Sequence, residues 1–335
     1  MINYKWECLT LDGGFVGRDG AALVSFKGCL YMLGGYNSTR KDLYGSANTN
    51  NEVYRSGDGL TWELICPAGS QKPLAPWTPR HTFGCVVFKD MIWVVGGDAN
   101  SGFCSTDVWN SSDGVNWTKV SDSTPWAPRV LHQTFVHDGK IWILGGQSPS
   151  VMIKEIADRF YNDVWCTSDG INWDCVCEYA PWFERGMIGN NAVVDGKLWL
   201  IGGGTYDTPD KPYRKYYTDV WSSANGADWE LVTADAGWPV RQYHDVATFD
   251  GKLWVLEGYG ADEYGSRTVP MPYMIKNYKN RSDVWYSDDG KHWIELPGTP
   301  WVPRHASSVC VHDGALWVVS GNNFTADVWR LKKMY

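Results

Sequence analysis

The sequence predicts an all-β protein made of six copies of one repeat. All 21 tryptophans of the 335-residue chain fall in repeated columns, and the repeats follow one another without a break. The mean period is about 55 residues, which is in the range of propeller blades and solenoid units. A residue that recurs in every copy most simply serves the architecture. Function is therefore expected where the repeats differ.

Residues 125–176 illustrate the strands of one repeat. Ile141–Leu144 is continuously apolar, as expected of a strand that is covered on both faces, and Gly145-Gly146 ends it. Asp163–Trp165 begins a third strand, and a tight Ser-Asp-Gly turn leads to Trp173 in a fourth. A four-stranded antiparallel sheet cannot bury both faces alone, so it must stack against copies of itself.

The two ends of the chain predict how the repeats close into a ring. The last repeat supplies only three strands, and Lys5–Leu9 aligns with Thr61–Ile65, the fourth strand of the first repeat. We therefore expect a six-bladed β-propeller with four-stranded blades, whose last blade is completed by residues 1–10. The single domain spans 1–335, with blades at approximately 18–66, 80–121, 129–177, 185–233, 241–297, and 304–331 plus 4–9.

The glycine pairs carry a family resemblance. They follow a strand in four repeats and are succeeded by an aromatic residue and a tryptophan after the next turn: Gly34-Gly35, Gly96-Gly97, Gly145-Gly146 and Gly202-Gly203. On these motifs the chain resembles the kelch-repeat family over essentially its full length. The resemblance implies a kelch-type propeller and leaves the function open, because that family includes adaptors, sialic-acid mutarotases and galactose oxidase.

Composition excludes several classes of partner. The net charge of −8 argues against nucleic acid, and no run of 18 apolar residues predicts a membrane span. The first residues, MINYKWECLT, lack the apolar core of a signal peptide. Nine cysteines is an odd number, and most lie within predicted strands. We expect a cytoplasmic protein without a cofactor.

A ring of arginines is predicted on the top face, where the loops before the first strand and after the glycine pair meet: Arg18, Arg80, Arg129, Arg185, Arg241 and Arg304. Six guanidinium groups around one axis would attract an anion, which makes all six candidate ligand contacts. Carboxylates recur on the same face, however: Glu52, Asp107, Asp163, Asp219, Asp283 and Asp327. Perfect repetition favours structural ion pairs, with Arg185 and Arg241, near long loops, the expected ligand contacts.

Departures from the repeat supply the other candidates. Glu257 replaces the first glycine of its pair, which suggests a carboxylate for acid–base chemistry or half of an ion pair. His132 and His244 follow a ring arginine by three residues, and a minority interpretation makes such histidines metal ligands. The candidate catalytic residues are Glu257, His132, His244 and Tyr259. The candidate ligand contacts, besides the arginines, are His81, Tyr206, Tyr243 and His305.

These residues favour a small-molecule site in the central mouth of the top face. The expected ligand is carbohydrate-like or carries a carboxylate, and the residues permit proton transfer of the mutarotase, epimerase or lyase type. Two alternatives remain open. One is a non-catalytic module that binds an acidic peptide on the same face, and the other is a metal-dependent enzyme that uses the channel histidines.

Overall fold

The computed structural model describes residues 4–68, 74–98, 104–148, 158–186, 192–207, 214–264, 267–275 and 277–334. These residues are mostly β-structure, with one short helix, α1 (Lys41–Tyr44), that continues into a 3₁₀ turn, Gly45–Ala47. In the part of the chain thus described, no helix has the length and hydrophobicity that a membrane span requires. The prediction of an all-β protein is confirmed.

Six antiparallel sheets, each with four main strands, follow one another along the chain. The N-terminal strand is β1 (Tyr4–Thr10). Sheet 1 contains β2 (Ala22–Phe26), β3 (Cys29–Leu33), β4 (Val53–Ser56) and β5 (Glu63–Cys66). Sheet 2 contains β6 (Gly84–Phe88), β7 (Met91–Asp98), β8 (Cys104–Ser111) and β9 (Trp117–Ser121). Sheet 3 contains β10 (Gln133–His137) and β11 (Lys140–Leu144), then, after a separate hairpin of β12 (Gln147–Ser148) and β13 (Arg159–Phe160), β14 (Val164–Thr167) and β15 (Asp174–Cys177).

The second half of the chain repeats the pattern with longer top loops. Sheet 4 contains β16 (Val193–Val194), β17 (Lys197–Thr205), β18 (Arg214–Ser223) and β19 (Glu230–Thr233). The strand β20 (Pro239–Gln242) precedes sheet 5, which contains β21 (Asp245–Phe249) and β22 (Lys252–Leu256). The top loop of sheet 5 contains β23 (Tyr259–Tyr264), β24 (Tyr273–Ile275) and β25 (Lys279–Asn280). Sheet 5 ends with β26 (Val284–Ser287) and β27 (Ile294–Leu296), and sheet 6 contains β28 (Ser308–His312), β29 (Ala315–Val319) and β30 (Val328–Lys333).

The first strands of all six sheets line one central cavity of about 290 Å³. Each sheet contributes apolar side chains to its wall, including Val24, Val86, Val136, Val193, Val246 and Val309. The second strand of each sheet is covered on both faces, as Ile141–Leu144 in β11 shows, with exposed fractions of 0–4%. Several four-stranded antiparallel sheets around a common cavity is the architecture expected of a β-propeller.

The N-terminal strand lies in the last sheet. β1 pairs antiparallel with β30, with Trp6 opposite Leu331, so sheet 6 obtains its fourth strand from the other end of the chain. Both strands are also tied to the neighbouring sheet through Asp250. Its carboxylate accepts a hydrogen bond from the Tyr4 hydroxyl (2.6 Å) and one from the Lys333 ammonium group (2.9 Å).

Two of the tryptophan columns pack against each other inside the sheets. The column before the arginines is at most 5% exposed: Phe15, Trp77, Trp126, Trp182, Trp238 and Trp301. Each ring meets, edge-on, an aromatic ring at the start of a fourth strand, as in the Trp238–Trp293 pair, whose centroids are 4.5 Å apart. These indoles are therefore part of the core and offer no surface on which a sugar ring could stack.

The glycine pairs form the seams between neighbouring sheets. The first glycine has φ near +60°, a conformation that other residues adopt at a cost, whereas the second has φ of 100–110° in the first five repeats, which is open almost only to glycine. This explains why Glu257 and Ser320 replace the first glycine and no residue replaces the second. A Cβ at the first position would point at the next sheet: it would lie 2.8 Å from the Phe83 ring at Gly34 and 3.2 Å from the His244 ring at Gly202.

Candidate functional site

The six ring arginines belong to the framework. Each is 0–1% exposed. Each binds one carboxylate of the repeated set, in the pairs Arg18–Glu52, Arg80–Asp107, Arg129–Asp163, Arg185–Asp219, Arg241–Asp283 and Arg304–Asp327. Each also donates to the carbonyl oxygen of the first residue of its glycine pair, as Arg185 does to Gly202 (3.0 Å).

The expectation that these arginines contact a ligand is therefore corrected, for Arg185 and Arg241 as for the other four. A guanidinium group that is fully buried, paired and hydrogen-bonded to the backbone has no donor left to offer a ligand. Its negative partner also cancels the field on which anion attraction would depend. The physical reason is the one that perfect repetition indicates: a column that never varies holds the sheets together.

Three of the four catalytic candidates also lie in the seams. His132 and His244 are 5% and 1% exposed, and each places its Nε2 against a carbonyl oxygen of the preceding sheet, that of Val95 (3.3 Å) or Ile201 (2.9 Å). Burial lowers the pKa of His132 to about 3 and that of His244 to about 4, so both rings are neutral. They occupy different seams. Among the residues that the structure describes, no group of three or more His, Cys, Asp or Glu side chains is placed to hold a metal ion.

Glu257 fills the seam between sheets 5 and 6. It is 0% exposed, and its Oε2 accepts a 2.5 Å hydrogen bond from the Ser307 hydroxyl. Its Oε1 lies 3.9 Å from the Arg304 Nε. Burial raises the pKa of Glu257 to about 7. The shift that acid–base chemistry would require is therefore present, but the carboxyl group is enclosed between two sheets, so the assignment of Glu257 to catalysis is also corrected.

Variation between the repeats is concentrated in a rim on the top face. The rim consists of the residue directly after each ring arginine and its backbone partner after the glycine pair: Asp19–Tyr36, His81–Asp98, Val130–Gln147, Gly186–Gly204, Gln242–Tyr259 and His305–Asn322. No residue type is constant in either column, although the arginine next to it never changes. The rim is thus the place where the scaffold carries individual chemistry.

A ring of backbone hydrogen bonds forms a floor below the rim. The residue two positions after the arginine is left-handed in five repeats, with φ of 48–57°: Gly20, Thr82, Leu131, Tyr243 and Ala306. Its N–H donates to the equivalent carbonyl of the neighbouring sheet, from Ala306 to Tyr243 (3.0 Å), Gly20 to Ala306 (3.0 Å), Thr82 to Gly20 (2.8 Å) and Leu131 to Thr82 (3.4 Å). Left-handed Thr and Leu cost about 1–2 kcal/mol each, and such strain is found mainly at functional sites.

One wall of the mouth is a cluster of four tyrosines around Arg214. The guanidinium carbon of Arg214 lies 5.1–5.8 Å from the ring centroids of Tyr206, Tyr243, Tyr259 and Tyr278. Among the described residues its one ion pair is from Nε to Asp207, at 2.9 Å. The loop of sheet 5 fixes this wall, because β24 pairs with β18 and places Ile275 opposite Arg214. Arg214 is therefore a cation on a braced strand, close to the rim.

His305 stands beside this wall as a neutral base. Its ring centroid is 5.5 Å from that of Tyr243 and 5.2 Å from that of Tyr259. Its Nδ1 is 2.7 Å from Oδ1 of Asn280, whose amide nitrogen donates to Asn322. This arrangement makes Nδ1 the protonated nitrogen and leaves Nε2 as an acceptor. Burial, reinforced by Arg214, lowers the pKa of His305 to about 4, so the ring is neutral near pH 7.

The opposite wall is acidic. His81 pairs with Asp98 through both backbone hydrogen bonds, and its Nδ1 is 3.6 Å from the Asp98 carboxylate, which is 0% exposed. Asp19, on sheet 1, lies near His81, and burial raises the pKa of Asp19 to about 6. The mouth therefore has carboxylates on sheets 1 and 2 and an arginine and tyrosine wall on sheets 4 and 5.

Tyr206 connects sheet 4 to sheets 3 and 5. Its backbone N–H donates to the Gln147 side chain of sheet 3 (3.1 Å), and its ring contacts Tyr243 of sheet 5. Burial raises the pKa of Tyr206 to about 12, Tyr243 and Arg214 oppose the rise, and the charges of Asp98 and Asp19 add to it. The pKa of the Tyr206 hydroxyl thus depends on charges in both walls. Two buried polar groups beside it, the Tyr243 hydroxyl and the Gln147 Nε2, make no hydrogen bond of normal geometry among the described residues.

The structure brings together five of the residues proposed from the sequence: His81, Tyr206, Tyr243, Tyr259 and His305. It adds others that sequence reasoning did not select, chiefly Arg214, Asp19 and Asp98. A usable signal existed, because five different residue types occupy the six positions directly after the ring arginines. Arg214 had no such signal, since it enters the mouth through the pairing of two loops that the repeat does not define.

The fold and the rim define an all-β protein of propeller-like architecture with one candidate site at its mouth. No family model matches the sequence, and no curated protein matches it. The fold is common, since 371 chains of solved structures match it. One of them is the structure of YjhT, with a TM-score of 0.65, 15% sequence identity, and coverage of 96% of this chain and 95% of that chain. At this identity the likeness shows the fold alone.

Proposed function

We propose that the protein is a closed, six-bladed propeller of kelch type that binds a small ligand at the rim. The ligand is carbohydrate-like and carries a carboxylate. The observation that carries the proposal is Arg214, a cation held by four tyrosine rings and a braced hairpin, with one carboxylate partner on its Nε. The Gln242 amide accepts from Nη1 (3.2 Å) in the orientation that satisfies both of its atoms, so Nη2 and the second Nη1 hydrogen are the donors that a ligand carboxylate can use.

The surroundings of Arg214 suit a sugar. Tyrosines present flat apolar faces together with hydroxyl groups, which is the combination that pyranose rings require. The Gln147 Nε2 would gain a partner from a ligand hydroxyl group, which removes the penalty of burying it alone. The strained floor places these groups at fixed positions before the ligand arrives.

Proton transfer is the chemistry that the same residues support. The Nε2 of His305 is a neutral acceptor, and burial keeps the hydroxyl of Tyr243 protonated by raising its pKa well above 10. A base and an acid on one side of a bound sugar acid suit an isomerase of the mutarotase or epimerase type, or a lyase. In that scheme Arg214 holds the carboxylate, His305 accepts the proton and a tyrosine donates one.

Calorimetric titration with sugar acids tests the binding proposal. D-glucuronate, N-acetylneuraminate and N-acetylmuramate are suitable probes, and polarimetry of freshly dissolved sugar then tests catalysis. Arg214→Met should weaken binding by about 10- to 100-fold, the value of a charge-assisted hydrogen bond. Lys215→Met is the matched control, because the next residue on a strand points to the other side.

Two results would contradict this proposal. If no sugar acid binds at millimolar concentration and an acidic peptide does, the protein is an interaction module. If a sugar acid binds and Arg214→Met has no effect, the ligand lies elsewhere.

A further inference from the structure

The mouth has a positive charge on one side and carboxylates on the other, and this arrangement indicates the class of its ligand. We propose that Asp19, together with His81, forms a second subsite that takes a protonated amine, so that the natural ligand is a zwitterion such as an amino sugar acid. The inference rests on the proposed function of the rim and deepens it. Arg214 would hold the carboxylate of the ligand, and Asp19 would hold its ammonium group across the mouth.

Asp19 differs from the six repeated carboxylates in its position and in its partners. It occupies the rim column that His305 and Val130 share, next to the fully buried Arg18, whose own partner is Glu52. No lysine or arginine among the described residues lies within ion-pair distance of the Asp19 carboxylate, whereas the carboxylates of the ring pairs all bind an arginine. A half-buried carboxylate without a cation favours a ligand that supplies one.

The residues behind Asp19 strengthen the negative wall. Asp98 is 0% exposed and faces the His81 ring, so its charge acts from inside the protein. The ring of Tyr36 stacks near His81, with centroids 5.3 Å apart, and positions the imidazole against the rim. Charge interactions are stronger in this partly buried site than in water. Asp19 and Asp98 therefore favour an ammonium group over a neutral amide.

Independent support comes from the centre of the mouth. The Tyr243 hydroxyl is on a side chain that is only 5% exposed, and it lacks a hydrogen bond of normal geometry between the two walls. Burial raises the pKa of Tyr206, and the charges of Asp19, Asp98 and Arg214 also act on that pKa, which is consistent with their lying around it. A ligand that fills this space meets a cation at one end and carboxylates at the other.

A matched pair of sugars tests the inference. Muramic acid and N-acetylmuramic acid differ in the ammonium group and share the carboxylate, and D-glucosamine has the amine alone. Near pH 7 the amine is largely protonated, and Asp19, with a pKa of about 6, is mostly ionised. Titration of the wild type should show muramic acid bound at least about tenfold more tightly than its N-acetyl form.

Asp19→Asn should abolish this preference and leave N-acetylmuramic acid binding unchanged, which also shows that the variant is folded. Asp122→Asn, at an exposed carboxylate paired with Lys119, is the matched control and should keep the preference. Equal affinity of the wild type for both acids, or a preference that survives Asp19→Asn, would overturn the inference and leave the proposed function standing. If neither muramic acid nor its N-acetyl form binds while D-glucuronate or N-acetylneuraminate does, the inference is overturned and the proposed function stands; failure of every sugar acid to bind would overturn both.

Discussion

Ser307 occupies the place in its seam where three other repeats have a large ring (Phe83, His132 and His244), and Glu257 fills the space that this leaves. At Gly202 the partner across the seam is His244, and at Gly34 it is Phe83. At Glu257 the partner is Ser307, whose hydroxyl donates a 2.5 Å hydrogen bond to the carboxylate. A small residue faces a large one in each case. The departure from the glycine pair is therefore a packing exchange.

This exchange predicts a double-mutant cycle. Ser307→His alone should clash with Glu257, and Glu257→Gly alone should leave a cavity. The double variant rebuilds the arrangement of Gly202 and His244. Chemical denaturation measures the loss in free energy of unfolding for each variant. The loss in the double variant should be smaller than the sum of the two single losses by about 1–3 kcal/mol. Additive effects would show that the two positions do not share space.

Burial of Glu257 predicts a pH-dependent stability. Its pKa is raised from 4.5 to about 7, so the folded state resists ionisation, and stability is lost as the pH rises from 4.5 through 7. Glu257→Gln removes this loss. The variant should match the wild type near pH 4 and become more stable at higher pH, by about 3 kcal/mol above pH 7.

Denaturant titrations at several pH values measure this difference. The nearby Asp245, whose pKa burial and the charge of Glu257 raise, is replaced by Asn in both proteins, so that the difference between them reports Glu257 alone. A constant difference across the pH range would mean that Glu257 does not titrate between 4.5 and 7.

The ring arginines should affect stability and spare ligand binding. Arg185→Ala leaves the Asp219 carboxylate, 1% exposed, without its partner, which should cost about 3–5 kcal/mol. Arg214→Met should show the opposite pattern, a modest change in melting temperature and weak binding of the sugar acid. Calorimetry and thermal melting of the two variants separate the roles. If Arg185→Ala were as stable as the wild type, the ring arginines would not have the structural role assigned to them.

The N-terminal strand should be required for a stable fold. Deletion of residues 1–10 removes the partner of β30 and the tie from Tyr4 to Asp250, and it exposes a long strand edge. The shortened protein should aggregate or melt far below the full-length chain. Melting within about two degrees of the full-length protein would contradict this role.

Repetition determined what the sequence could reveal. The repeated columns to which Trp238 and Arg185 belong identified the strands, the seams and the ion-pair partners. A residue that recurs at the same position of each repeat is expected to have the same structural role in each. The same logic misled for Glu257, since its partner Ser307 is 50 positions away and only the structure shows that they share one space. Arg214 was beyond reach for a different reason: it reaches the mouth through the pairing of β18 with β24, which no repeat pattern encodes.

A crystal structure with a bound sugar acid tests the central claim most directly. The probe with the highest affinity in the titrations would be used at saturating concentration. The account predicts density on the rim, with the ligand carboxylate within hydrogen-bond distance of the Arg214 guanidinium group and the sugar beside Tyr206, Tyr243 and His305. A ligand bound in the central cavity among the valines of the inner strands, or at the turns of the bottom face, with an empty rim, would contradict it.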